Sequence, residues 1–305
     1  MRLFGNRGDS ESDAARERAE ASQRSIQAGG LPLNAVDRLK EAAREDFFTS
    51  NLSPAELLLT HECGYDPLGQ VMGSSVYNVG WQSIPMGWSW ASGELEVVTA
   101  AHYHARHLAL GRLGQEAKLL GADGVVGVRL ERGGFDWGTG MLEFIAIGTA
   151  VRRSGAPPSH GEPFVSALSG ADHWALREAG YRPVGFCLGN CTWYQVASWA
   201  TQRVQGGGLF GGGWNNQELT EYTQAVYAAR SLAMSRMQAE AAAVGAEGIV
   251  GAFVETHTEI REVGDKPPRP DLVASFTAIG TAVAREAQAP APTKPLNIVL
   301  LKDLP

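Results

Sequence analysis

The chain has 305 residues, 44% hydrophobic and 19% charged, enough for two domains that each close a core. A net charge of −7 excludes the clustered Lys and Arg that a nucleic-acid surface needs. The three cysteines make no disulfide framework, no apolar run can span a bilayer and the start lacks a signal peptide's apolar segment, so a soluble cytoplasmic protein is expected.

Residues 1–46 form a charged arm. Its first thirty lack an apolar stripe and read as disordered or as a solvated helix. LPLNAVDRLKEAAREDF then places Leu33, Val36, Leu39 and Ala43 at helical spacing, which predicts a short helix packed on the first module. That module spans residues 47–153. LSPAE carries a capping box from Ser53 with Pro54 at the first helical position, and that helix ends at Gly64. PLGQVMGSSVYNVGW is a glycine-punctuated strand. A long helix from Glu94 aligns Val98, His102, Ala105, Ala109, Arg112 and Glu116 and ends at Gly121. VVGVRLE and MLEFIAIGTAV are strands joined by an irregular loop. In GADGVVG, Gly121 reads as a C-cap, Gly124 as a turn and Gly127 as close packing. A phosphate cradle is disfavoured because the string follows a helix C-terminus.

Residues 154–163 are a Pro/Gly/Ser linker, and residues 164–286 repeat the module. The segments from Glu94 and from Glu218 align without a gap over roughly 38 positions, about half identical. Phe48 onward answers Phe164 onward, and IAIGTAVRR answers TAIGTAVAR. The fold class is therefore α+β: two α-β-α-β-β modules, each a small antiparallel sheet carrying one long helix. The tail, residues 287–305, is Pro/Ala-rich and ends in an apolar segment suited to a sheet edge.

The glycine-punctuated strand, EL…AR…A, LGADGVVGV and GTAV together closely resemble the YbjQ-like heavy-metal-binding domains. The resemblance covers both modules. It implies small α+β units that assemble into rings, typically pentamers, and a heavy-metal label that rests on fold likeness. The chain departs from the pattern by fusing two copies and adding the N-terminal arm.

Candidate sites are weighed copy against copy. His104 and His107 lie one turn apart and could share a divalent heavy metal, but the second copy has Ala228 and Ser231. His61 and Cys63 flank a carboxylate, yet Arg177 and Ala179 replace them. Cys187 and Cys191 project the same way from a strand at roughly 13 Å, too far for one metal or a disulfide. Arg112–Glu116 and Arg236–Glu240 occur in both copies at i,i+4 and read as semi-buried ion pairs or as a pair lining a pore. Tyr103/Tyr227 and Arg106/Arg230 are shared on the outer side of the helix, which suggests a module-to-module interface. Trp81, Trp88, Trp90 and Trp214 sit in Gly-rich loops that could bind a protein or small ligand or plug a ring. The reading is a non-enzymatic, homo-oligomeric binding or scaffold protein without a cofactor, with a metal-handling protein as the alternative and an enzyme third. Two fused modules that satisfy each other within one chain compete with the ring.

Overall fold

A computed structural model describes residues 7–42, 44, 47–79, 91–133, 140–205, 216–264 and 268–286. The Trp81/Trp88/Trp90 and Trp214 loops and the C-terminal apolar segment lie outside the described residues. Helices α1 (Arg7–Gln27) and α2 (Leu33–Ala42) form the arm. From Asp13 on, α1 is largely exposed, a solvated helix, whereas α2 buries Leu39 in the core of module one.

Module one contains α3 (Pro54–Glu62), β1 (Tyr65–Asn78), β2 (Gly93–Glu94), α4 (Glu96–Leu119), β3 (Gly124–Arg132) and β4 (Met141–Arg153). Module two contains β5 (Phe164–Val165), α5 (Gly170–Glu178), β6 (Tyr181–Gln195), α6 (Trp199–Gln205), α7 (Thr220–Ala243), β7 (Gly248–Val263) and β8 (Arg269–Arg285). The local signals act as read. Ser53 Oγ accepts from the Glu56 amide while Glu56 accepts from the Ser53 amide, and Ser169 caps α5 through the Asp172 amide. The apolar strands β4 and β8 are central in their sheets, flanked by β1 and β3 and by β6 and β7.

Both sheets have four strands, one more than expected, because each borrows a strand from the other module. The orders are β1-β4-β3-β5 and β2-β6-β8-β7. β5 of module two pairs in parallel with β3, and β2 of module one pairs antiparallel with β6. Helix α4 begins at Glu96 rather than at Glu94, as α7 begins at the matching Thr220, and in module one the Gly93–Glu94 backbone ahead of the helix is held in a ladder opposite Tyr194 and Trp193.

The glycines of GADGVVG exchange two of their expected roles. Gly121 ends the helix with a positive φ of 69°. Gly124 is the close-packing site, since a Cβ there would enter the Phe164 ring, whereas Gly127, at φ 63°, lies in the β3 bulge. Module two repeats the bulge at Gly251, φ 60°.

Each long helix lies on its own sheet through a stripe of small residues. In α4 it is Ala101, Ala105 and Ala109 with Leu113, and in α7 it is Ala225, Ala229 and Ala233 with Met237, all buried. Small side chains let the strands approach the helix backbone. A Cβ on Gly73 would fall well inside the van der Waals radius of the Ala109 carbonyl oxygen, and one on Gly189 would do the same at Ala233. Gly73→Ala and Gly189→Ala are therefore each expected to lower unfolding free energy by about 1–3 kcal/mol, an overpacking cost. Gly111→Ala and Gly114→Ala, whose new methyls meet nothing within 4 Å, should instead be neutral or stabilising by up to about 1 kcal/mol. Urea midpoints of the four variants check this, and unchanged stability in Gly73→Ala and Gly189→Ala would contradict the close approach.

Candidate functional site at the junction of the modules

The most elaborate polar constellation among the described residues lies where the outer side of α4 meets β6 and β8. Helix α4 is thus covered on both sides, by its own sheet and by that of module two. Thr99 anchors one end: its carbonyl accepts from Asn190 Nδ2 at 3.2 Å and its hydroxyl accepts from the Thr192 amide at 3.0 Å. Tyr103 Oη donates to the Leu188 carbonyl at 2.7 Å, and its phenol is held protonated to higher pH than usual, first by burial and then by Glu240.

Arg106 is fully buried and bridges the sheets. Its Nη2 donates to Thr277 Oγ1 at 2.6 Å, and its guanidinium lies 4.6 Å from the centroid of the Phe144 ring. Burial foremost, with Arg132 nearby, lowers its pKa to about 9, against the pull of Glu255. Desolvating a cation costs several kcal/mol. A charge-assisted hydrogen bond returns roughly 1.5–3 kcal/mol and a buried cation–π contact about 2 kcal/mol, while Nε and Nη1 are buried without a hydrogen-bond partner. Those returns do not exceed the cost, so Arg106 fixes the register of the junction rather than supplying its stability.

The shared Arg/Glu pairs are not bonded to each other at i,i+4 as expected, because strand-edge groups and the neighbouring module compete for them. Arg236 forms a bidentate pair with Glu94 of module one, at 2.6 and 2.8 Å, and donates to the Asn190 carbonyl at 2.8 Å. Glu240 accepts from the Leu188 amide at 2.8 Å and faces His107 Nε2 of module one at 3.4 Å. In module one the same two positions are served by the arm. Arg112 donates to the carbonyls of Ser74, Gly30 and Ile26, and Glu116 accepts from the Met72 amide and from Arg38.

The expected metal ligands do not converge. His104 and His107 line an open cleft of about 560 Å³ with Glu94, Glu96, Tyr103 and Arg236. However, Glu94 is held by Arg236, and the ring of His104 lies against Tyr77. His61 is exposed and bonds Asp66, whereas Cys63 is buried beside Arg177, its thiol pushed up by burial. Cys187 and Cys191 are buried free thiols, with pKa raised by burial to about 11 and about 12. Among the described residues no three His, Cys, Asp or Glu side chains are grouped so that they could hold a metal ion together. Nor is any helix among them long and apolar enough to cross a membrane.

Of the two residues expected on an oligomer interface, Arg106 is buried and Tyr103 part-buried between the modules of one chain. Their counterparts Tyr227 and Arg230 are exposed. Glu94 and Thr99 were not singled out from sequence, although both are identical in the aligned copy as Glu218 and Thr223.

His102 packs edge-on against Phe144 and is Val226 in the second copy. Burial, then the charges of Arg106 and Arg132, hold its imidazole well below the ordinary value, so it stays neutral in the folded chain. Below pH ~6.5 the unfolded chain binds a proton there that the folded chain does not, so stability falls with pH by about 1.4 kcal/mol per unit. His102→Val should flatten the slope of unfolding free energy between pH 6.5 and 5. An unchanged slope would show that His102 titrates normally.

Comparison with known proteins agrees with this architecture. A YbjQ family profile, described as "Putative heavy-metal-binding", matches residues 66–154 and 209–286, one segment in each module. The chain is 42% identical over 230 residues to the encapsulin nanocompartment protein Rv1762c of Mycobacterium tuberculosis, covering 74% of this chain and 84% of that one. A UPF0145 protein of Methanococcus maripaludis is 38% identical over 87 residues, 28% of this chain and 76% of its own length. That shorter relative corresponds to about one module. The chain belongs to the YbjQ family, in a form that carries the family domain twice.

Proposed function

We propose that this protein is a non-enzymatic, self-assembling scaffold of the cytoplasm in which the junction between its two modules is repeated from chain to chain. The observation that carries the reading is that each half of the junction has an unused copy. The face of sheet β1-β4-β3 turned away from α4 exposes Met72, Val76 and Met141 and corresponds, residue by residue, to the face of β6 and β8 that α4 covers. Helix α7 exposes Tyr227 at 64%, where Tyr103 of α4 is engaged. Docked in the same way, α7 of one chain would place Tyr227 on the Met72 carbonyl and Thr223 on the Val76 amide of the next. Thr277 is replaced by Ile145, but exposed Glu131 and Glu143 stand on that face to receive Arg230.

The strand exchange has spare copies too. Gln217–Glu218 matches β2 and would extend the β1 edge at Tyr77–Asn78. Phe48–Thr49 matches β5 and would extend the β7 edge at Gly248–Ile249. Gly124 leaves room for the Phe164 ring, while its counterpart Gly248 meets only Val283 at 3.8 Å and Phe48 is 41% exposed. Such a head-to-tail contact closes into a ring when the rotation permits. The family resemblance supports five-fold closure, and the name of the mycobacterial relative supports a setting in an encapsulin nanocompartment.

Light scattering across a dilution series tests the reading. Multiples of the 32.5 kDa chain are expected at high concentration. Tyr227→Asp should return the mass to one chain with the fold intact, and elemental analysis should find no stoichiometric zinc, copper or nickel. Assemblies indifferent to Tyr227→Asp would reject this docking. One metal per chain, lost in His104→Ala/His107→Ala, would favour the metal-handling alternative.

A further inference from the structure

The N-terminal arm holds the two groups of module one that a docking chain would need. At the internal junction, module two presents Arg236 and Glu240, each tied to its own strand edge through the Asn190 carbonyl and the Leu188 amide. Module one supplies their external partners, Glu94 to the Arg236 guanidinium and His107 to the Glu240 carboxylate. Module one's own copies, Arg112 and Glu116, are tied to their strand edge by the same bonds, to the Ser74 carbonyl at 2.5 Å and from the Met72 amide at 2.8 Å. Their external partners come from the arm. The Ile26 and Gly30 carbonyls take Arg112 at 3.0 Å each, and Arg38 takes Glu116 at 3.1 and 3.2 Å.

We propose that the α1–α2 arm is a built-in competitor for chain-to-chain docking, occupying on module one the anchor points that Glu218 and Ser231 of a preceding chain would take. This rests on the docking proposed above. The overlap is at the level of atoms: Arg236 Nη2 bonds Glu94, and the corresponding Arg112 Nη2 bonds Ile26. Three of the five N–H groups of the Arg112 guanidinium already donate to carbonyls, two of them to the arm, so the arm and an incoming carboxylate compete for the same end of the side chain. The arm is held on module one by few side chains. Arg38 is half-exposed although its partner Glu116 is buried, and the apolar contact is made by Leu31 and Leu39, with Val36 and Ala42 beside them. Assembly therefore requires release of the arm, and the arm sets the concentration at which chains join.

Two full-length variants and hydrogen exchange test this. Arg38→Glu turns the Glu116 contact repulsive, and Arg38→Glu/Leu39→Asp also disrupts the apolar contact. Both are expected to assemble at roughly tenfold lower concentration than the natural chain, equivalent to about 1.4 kcal/mol of lost competition. In the natural chain, amides of residues 7–42 should lose protection as assembly proceeds, while that of Asn78, which faces the free edge of β1, gains it. Assembly with the arm still protected, or an unchanged midpoint in both variants, would overturn the competition and leave the docking reading standing. If neither variant assembles although exchange shows its arm free, the docking reading itself fails, and the competition with it.

Discussion

The architecture depends on one constraint: helix α4 must satisfy two sheets at once. Toward its own sheet it presents alanines and Leu113, so that the Gly73 backbone can nearly touch the helix backbone. Toward the sheet of module two it presents Thr99, Tyr103 and Arg106, whose hydrogen bonds go to backbone groups and hydroxyls of β6 and β8. A helix apolar on both sides could slide along the second sheet. Directional bonds at three positions, together with the Glu94–Arg236 pair, fix its register at little net gain in stability. The short exchanged strands sit at the same junction: β2 enters α4 past the β6 edge, and β5, at the start of module two, lies along β3.

The same constraint separates the two modules in exposure though not in fold. Module one has a neighbour at its helix and the arm at its strand edge. Module two has a neighbour on its sheet, but the outer side of α7 and the edge strand β7 face solvent. Identical ancestry with unequal surroundings explains why Tyr103 and Tyr227 differ so sharply in burial. It also separates His102 from its counterpart Val226: His102 is buried against Phe144, whereas Val226 is only partly buried.

Much of this was legible in the sequence. Length, the gap-free repeat, the Ser53 and Ser169 caps and the doubly apolar GTAV strands gave the fold class, the twofold repetition and the central strands, because those signals are local. What was not legible is non-local. Glu94 reads as the first residue of a helix since nothing near it in sequence reveals a strand edge about a hundred residues away. Arg112–Glu116 and Arg236–Glu240 read as i,i+4 pairs because helix spacing places them together, but buried strand-edge carbonyls and amides are the stronger claimants. Gly124 and Gly127 exchange roles for a related reason: only the strand borrowed from module two brings Phe164 onto Gly124. The histidine and cysteine pairs are absent from the sister copy, which marks them as local variations rather than as properties of the fold.

The central claim is that the contact between α4 and the sheet of module two is the template for contact between chains. Cross-linking mass spectrometry on a mixture of light- and heavy-isotope-labelled chains addresses it most directly, since mixed-isotope products arise only between molecules. The account expects links joining the exposed side of α7 and the 216–219 segment of one chain to β1, β3 and β4 of another. Mixed-isotope links confined to other surfaces, with α7 joined only to its own chain, would contradict it.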